Sequence, residues 1–183
     1  MSPHQPAMTL TARIVALHAA LDAADAPHAF GGALALAWCT QRARGTIDID
    51  VNIFVSHHRA DDVLDAMPDC VEVTDADRRA VAADGQTRLW WDGTPIDVFF
   101  NTAAFHEQAA GRTRFESFAG HMIPFLACRD LAVFKAFFNR TQDWADLERM
   151  AEADTLDPES VIGAIAAHLG ADDPRIERLR RLG

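Results

Sequence analysis

Only one of the 17 basic residues in this 183-residue chain is a lysine, and 27 acidic residues outnumber them, for a formal net charge of −10. So few cations exclude a protein that coats nucleic acid broadly, because that affinity comes largely from Lys and Arg neutralising phosphates. Long apolar runs are missing too: no stretch reaches 18 residues, and the first segment does not follow the basic, apolar, small order of a signal peptide. We therefore expect a cytoplasmic protein with no membrane partner. Cysteine is scarce. Cys39, Cys70 and Cys128 are odd in number, far apart and without a CxxC pair, which excludes a zinc ribbon and points to reduced thiols rather than a disulfide framework. Internal repeats and low-complexity linkers are absent as well.

What is present is ordinary for a globular chain. Hydrophobic residues make up 49% and charged residues 24%, enough for one generous domain, or for a core domain with an appendage. Apolar residues at three- and four-residue steps predict a helix over Leu10–Ala24, capped by Thr9 or Thr11 and stopped by Pro27. The Ala- and Leu-rich run after Gly31-Gly32 predicts a second helix that begins at the glycines. Strands are expected over Ile47–Val55, Cys70–Thr74, Thr87–Trp91 and Ile96–Phe100, with a turn at Asp92-Gly93-Thr94-Pro95 and a helix over His57–Met67. Beyond Ile123-Pro124 the pattern turns helical, at 130–138, 141–153 and 158–169, the last opened by Asp157 and Pro158. The chain thus divides near residue 125 into an α/β core, 1–125, and an all-helical C-terminal part, 126–183.

Against this background one block carries chemistry. Residues 44–50 read RGTIDID. On a strand, Asp48 and Asp50 would point the same way while Ile47, Ile49 and Val51 point the other. Unpaired carboxylates beside a core are costly, and a divalent cation resolves that cost. Asp97, in the apolar run PIDVFF, offers a third acid on a later strand. Backbone amides of Gly31-Gly32, free of side chains at a helix start, favour phosphate oxygens.

Taken in order, Phe30-Gly31-Gly32, Arg44-x-Thr46-x-Asp48-Ile49-Asp50, Asp97 and the segment from Lys135 to Asp146 resemble the nucleotidyltransferase superfamily. Within it the sequence is most similar to the abortive-infection toxin branch. The resemblance covers roughly residues 28 to 150 and implies a mixed β-sheet flanked by helices. It implies that Asp48, Asp50 and Asp97 are catalytic acids holding Mg²⁺ or Mn²⁺, and that Gly31, Gly32, Arg44, Thr46, Lys135 and Asp143 serve nucleotide binding. It further implies an NTP donor, a hydroxyl acceptor on a small molecule, protein or RNA end, and an antitoxin partner. Two features depart from the pattern: fifteen residues, 33–47, separate Gly32 from Asp48, and Ala33 stands where relatives often carry a hydroxyl. They motivate an alternative, a catalytically inactive module that binds a nucleotide or a protein.

Several other signals have plainer readings. Lys135, among Phe134, Phe137 and Phe138, reads equally well as a snorkelling side chain, and Asp143 and Asp146 as partners of Arg140 and Arg149 along a helix surface. Adjacent His57 and His58 should diverge into solvent. Trp90 and Trp91 should divide between surface and core. Arg112-x-Arg114 follows a glycine in a loop, where it could meet an acceptor.

Overall fold

The computed structural model describes residues 8–183; the first seven residues, which enter both the leader reading and the 1–125 core, lie outside the described residues. Seven strands form one mixed sheet in the order β3-β4-β5-β2-β1-β7-β6. They are β1 (His28–Phe30), β2 (Ile49–Ser56), β3 (Val71–Glu72), β4 (Gln86–Trp91), β5 (Thr94–Asn101), β6 (Arg114–Phe118) and β7 (His121–Phe125). The helices are α1 (Leu10–Ala23), α2 (Gly32–Thr40), α3 (Ala60–Asp65), α4 (Asp75–Asp84), α5 (Ala104–Ala110), α6 (Cys128–Phe138), α7 (Thr141–Glu152), α8 (Pro158–Leu169) and α9 (Pro174–Arg180).

The centre of the sheet is built from period-2 sequence. Ile49, Val51 and Ile53 of β2 and Ile96, Val98 and Phe100 of β5 point to one face, where they pack with Ile14, Leu17 and Leu21 of α1. Each is at most 1% exposed. Residues between them face the opposite way, toward a second core in which Ala35 and Leu36 of α2 meet Leu131 and Phe134 of α6, Trp144 and Leu147 of α7, and Ile165 of α8. The C-terminal helices therefore share a core with the front of the chain.

Sequence and structure part at several points. Ile47 is 80% exposed and precedes the strand, as does Asp48, so the alternation begins only at Ile49. His57–Arg59 forms a 3-10 turn before the shorter α3, and the rings of His57 and His58 lie tilted against each other with centroids 3.8 Å apart instead of diverging. Three residues make β1, too few to show alternation. α4 opens with a reciprocal Thr74–Asp77 cap, a readable signal. Trp91 is 2% exposed and Trp90 44%, the expected division.

The largest correction concerns the thiols. Cys39 and Cys128 are joined in a disulfide, with Cα atoms 5.6 Å apart across a sequence separation of 89 residues; Cys70 is free and exposed. Topology brings them together. β1 and β7 are parallel neighbours, each feeding a helix, α2 and α6, that packs on the same face, so the end of α2 reaches the start of α6. The thiol argument for a reducing compartment is thereby removed. Among the described residues no helix is long and apolar enough to cross a membrane. Reduction of the disulfide is expected to lower unfolding stability by about 2–4 kcal/mol, measurable as a lower urea midpoint with dithiothreitol. A Cys39→Ala/Cys128→Ala variant should reproduce the drop and a Cys70→Ser variant should not.

Candidate active site

The site is laid out by strand register. β2 and β5 run parallel with Asp50 beside Asp97. The hairpin from β4 to β5 turns at Asp92 and Gly93, both at positive φ, the geometry of a two-residue turn. It sets Arg88 opposite Asp97. The result is a row of Arg88, Asp97 and Asp50 on the face that bears the C-terminal helices. Asp48 lies just before the strand, and its carboxylate accepts a hydrogen bond from the Thr46 hydroxyl.

Beside the row stands the start of α2. The Gly31 amide donates to the Asp50 carbonyl at 2.9 Å, which presses the glycine turn onto β2. Gly32 has φ +52°, and a Cβ there would lie 1.8 Å from Asp50 Oδ2. A side chain would thus be strained and would expel the carboxylate. The paired glycine is what allows Asp50 to sit against the helix terminus.

Charge in the row is unbalanced. The Asp50 carboxyl is pushed up to about 6, first by burial and then by Asp48 and Asp97, against the pull of Lys135 and Arg140. Arg88 takes both oxygens of Asp97, at 2.7 Å each, and its own pKa is raised by those bonds. The guanidinium side chain is 51% exposed, so this fork is an exchangeable surface pair.

Lys135 comes to the same place from α6. Together with Gly32, Asp50, Asn52, Arg140 and Asp143 it lines a cleft of about 30 Å³. It does not snorkel: the residue is 5% exposed, and its ammonium lies 2.7 Å from Asp146 and 3.7 Å from Asp143. Nor do those acids lie on a helix surface, being 0% and 2% exposed. Asp146 also accepts from Gln142 and Arg149 at 3.0 Å each. Burial alone would raise its pKa, but the bonds from Lys135 and Gln142 and the charges of Lys135 and Arg44 outweigh it and lower the value. Asp143 accepts from the Arg140 amide at 3.1 Å and from its Nε at 2.7 Å.

Arg44 goes elsewhere. Its Nη2 reaches Asp146 at 3.4 Å, and it lines a separate cavity of about 430 Å³ with Arg42, Thr40 and Arg149 at the C-terminal end of α2. Arg112 is engaged with Asp130, with contacts of 2.6 to 3.2 Å, so it is not free to meet an acceptor. The residues gathered at the site are Gly31, Gly32, Thr46, Asp48, Asp50, Asp97, Lys135 and Asp143. Arg88 joins them without having been singled out, and Arg140 joins them as the ion-pair partner of Asp143 that the sequence suggests. Arg88 was within reach, because a two-residue turn at Asp92-Gly93 fixes its pairing with Asp97.

Among the described residues no three His, Cys, Asp or Glu side chains already stand at metal-ligand spacing. The donor set nevertheless fits a hard divalent cation: oxygen ligands on adjacent strands, one carboxyl held protonation-prone by burial and by its like-charged neighbours, and a side-chain-free cradle beside it. Asp50 and Asp97 would be first to hold it, with Asp48 next. The raised pKa of Asp50 fixes a pH dependence. Its stability contribution is full below the unfolded value of 3.8 and is lost as pH rises through about 6. Without divalent cations, Asp50→Asn should therefore stabilise the protein at pH 7.5 by about 1–3 kcal/mol and little at pH 4, read from urea unfolding at both pH values.

The chain matches no protein-family profile and no curated protein. Among solved structures it is similar to the antibiotic-resistance factor ANT(2'')-Ia, over 93% of this chain and 89% of that one, with a TM-score of 0.50 and 15% identity. It is also similar to an antigenic nucleotidyltransferase-like protein from Paracoccidioides brasiliensis, over 94% and 85%, with a TM-score of 0.51 and 11% identity. The seven-stranded mixed sheet with its flanking helices is a nucleotidyltransferase-type fold.

Proposed function

We propose that the chain is a nucleotidyltransferase that moves a nucleoside monophosphate from an NTP to a hydroxyl acceptor with Mg²⁺ or Mn²⁺ in the site. The observation that carries this reading is the pairing of Asp50 with Asp97 on parallel strands against the Gly31-Gly32 turn. In the reaction the acceptor oxygen forms a bond to the α-phosphorus, and the bond from that phosphorus to the bridging oxygen breaks, releasing pyrophosphate. Asp97, once released by Arg88, would take the hydroxyl proton or hold the cation that activates the hydroxyl. With the Gly31 amide engaged on Asp50, the Gly32 amide at the start of α2 would be the one of the pair to meet phosphate oxygens. Lys135 and Arg140 supply positive charge to the cleft, Lys135 held in place by Asp143 and Asp146. The bound cation would neutralise charge that develops on the phosphate oxygens. A net charge of −10 favours a small-molecule or protein acceptor over an RNA end.

A second reading has its own support. Arg88 engages both oxygens of Asp97 and Lys135 is engaged by two acids, an arrangement equally suited to a nucleotide- or protein-binding module without turnover. Likeness to the abortive-infection branch adds a biological expectation, that the active protein is a toxin held by an antitoxin partner.

Thermal unfolding with each NTP, with and without Mg²⁺, tests the main reading. An NTP at 100 times its Kd should add about 2.7 kcal/mol to the wild type, and nothing when Mg²⁺ is omitted or in Asp50→Asn. Transfer of label from an α-³²P NTP should fall by roughly 100-fold or more in that variant. A Mg²⁺-dependent shift without any pyrophosphate release would select the binding module. Expression should arrest growth, and Asp48→Asn should relieve the arrest; arrest by the variant would remove the toxin-enzyme expectation.

A further inference from the structure

The acid row is the first of three rows along β2 and β5. Alternation puts Asn52 beside Phe99 in the second row, and Phe54 and Asn101 further along the same face. α5 and α6 roof these later rows. His106 on α5 packs edge-on against Phe54 and Phe134, with ring centroids 5.9 and 4.9 Å away. Phe99 and Phe138 lie 5.3 Å apart.

Between these rings is a hollow of about 100 Å³, walled chiefly by Phe99, Phe105, Phe134, Phe137, Phe138 and His106. Phe99 and Phe138 also wall the 420 Å³ hollow beside Asp97 and Arg88, and the cleft at Asp50. The same two half-buried rings therefore stand between the aromatic hollow and the acid row.

One group in that hollow is not explained by packing. His106 is 3% exposed, and its Nε2 finds no hydrogen-bond partner among the described residues. Burial lowers its pKa to about 4, so the imidazole is neutral at physiological pH. Folded proteins leave few buried polar atoms unpaired, and each that remains calls for an explanation, a bound partner among them. The Oδ1 atoms of Asn52 and Asn101, on the same sheet face, are buried and also without partners among the described residues.

We propose that this hollow is the nucleobase subsite: the rings of Phe99 and Phe138 receive the face of the base, and His106 Nε2 reads a hydrogen-bonding edge. The assignment deepens the nucleotidyl-transfer reading and rests on it. Aromatic walls suit any base, since every base has a π-face; choice among bases needs a fixed polar group, and while exposed Asp84, Gln86 and Thr102 also line the hollow, His106 is the buried one with an unpartnered atom among the described residues. Reach agrees. Four residues of β5 separate Asp97 from Asn101, about 13 Å along the strand, the span of a ribose and base beyond an α-phosphate placed at the acid row. A purely apolar ligand would leave His106 unpaired.

The test is calorimetric titration of the full chain with the Mg²⁺ complexes of ATP, GTP, CTP, UTP and inorganic tripolyphosphate. Wild type should prefer one NTP over the others by roughly 10-fold or more, and His106→Phe, which keeps the ring volume, should erase that preference. Affinity for tripolyphosphate should not change. A measurement on the wild type needs no variant: the matching free nucleoside should shift the ¹⁵N resonances of the His106 ring. Tripolyphosphate binding with no base preference, or with a preference that survives His106→Phe, would overturn the subsite alone. Failure of the folded wild type to bind any NTP or tripolyphosphate would overturn the nucleotidyl-transfer reading and the subsite with it.

Discussion

The parallel pairing of β2 with β5 is the constraint on which the rest depends. Six apolar side chains, Ile49, Val51, Ile53, Ile96, Val98 and Phe100, are buried on one face of these two strands. Because side chains alternate, a slip of one residue would drive Asp50 or Asp97 into that core and expose its apolar partners. Hydrophobic burial therefore holds two carboxylates side by side, although they repel. The energy comes from one face of the strands and the chemistry sits on the other.

The electrostatics follow from that enforced proximity. Burial and the like charges of Asp48 and Asp97 raise the Asp50 carboxyl, and Arg88, the cation of the row, is engaged on Asp97. Nearby cations are largely engaged. The single lysine is buried on Asp146 and Asp143, Arg140 on Asp143, and Arg88 on Asp97. Of these, Arg88 and Arg140 have exposed side chains, 51% and 65%; Arg88 can exchange partners most readily, and Arg140 leaves its buried partner Asp143 to Lys135 at 3.7 Å when it moves. Lys135 cannot, since leaving Asp146 would strand a buried charge. The site thus combines a fixed cation behind the cleft with movable ones at its rim.

Two strand-to-helix units frame this arrangement. β1 leads through the glycine turn into α2, and β7 leads into α6; the strands are parallel neighbours and the helices are cross-linked by Cys39–Cys128. One unit carries Gly32 and the other Lys135, which meet across the cleft at Asp50. The disulfide therefore ties together the two elements that bring the phosphate-facing turn and the buried cation to the acids.

Local sequence decided a good part of this by itself. Period-2 apolar runs marked β2, β4 and β5; three- and four-residue steps marked α1 and the C-terminal helices; and Gly31-Gly32, Asp50 and Asp97 were recognisable as acids and glycines out of place in a plain core. The Asp92-Gly93 turn even contained the Arg88–Asp97 pairing. Tertiary structure decided what local pattern cannot encode. Cys39 and Cys128 pair because two helices 89 residues apart share a sheet face. Lys135 points at Asp146 because α6 packs on α7 beneath the sheet. His106 Nε2 is left without a partner among the described residues where α5 closes over Phe54. Periodicity fixes which way a side chain leaves its own element, but what it meets is set by the packing of elements distant in the chain.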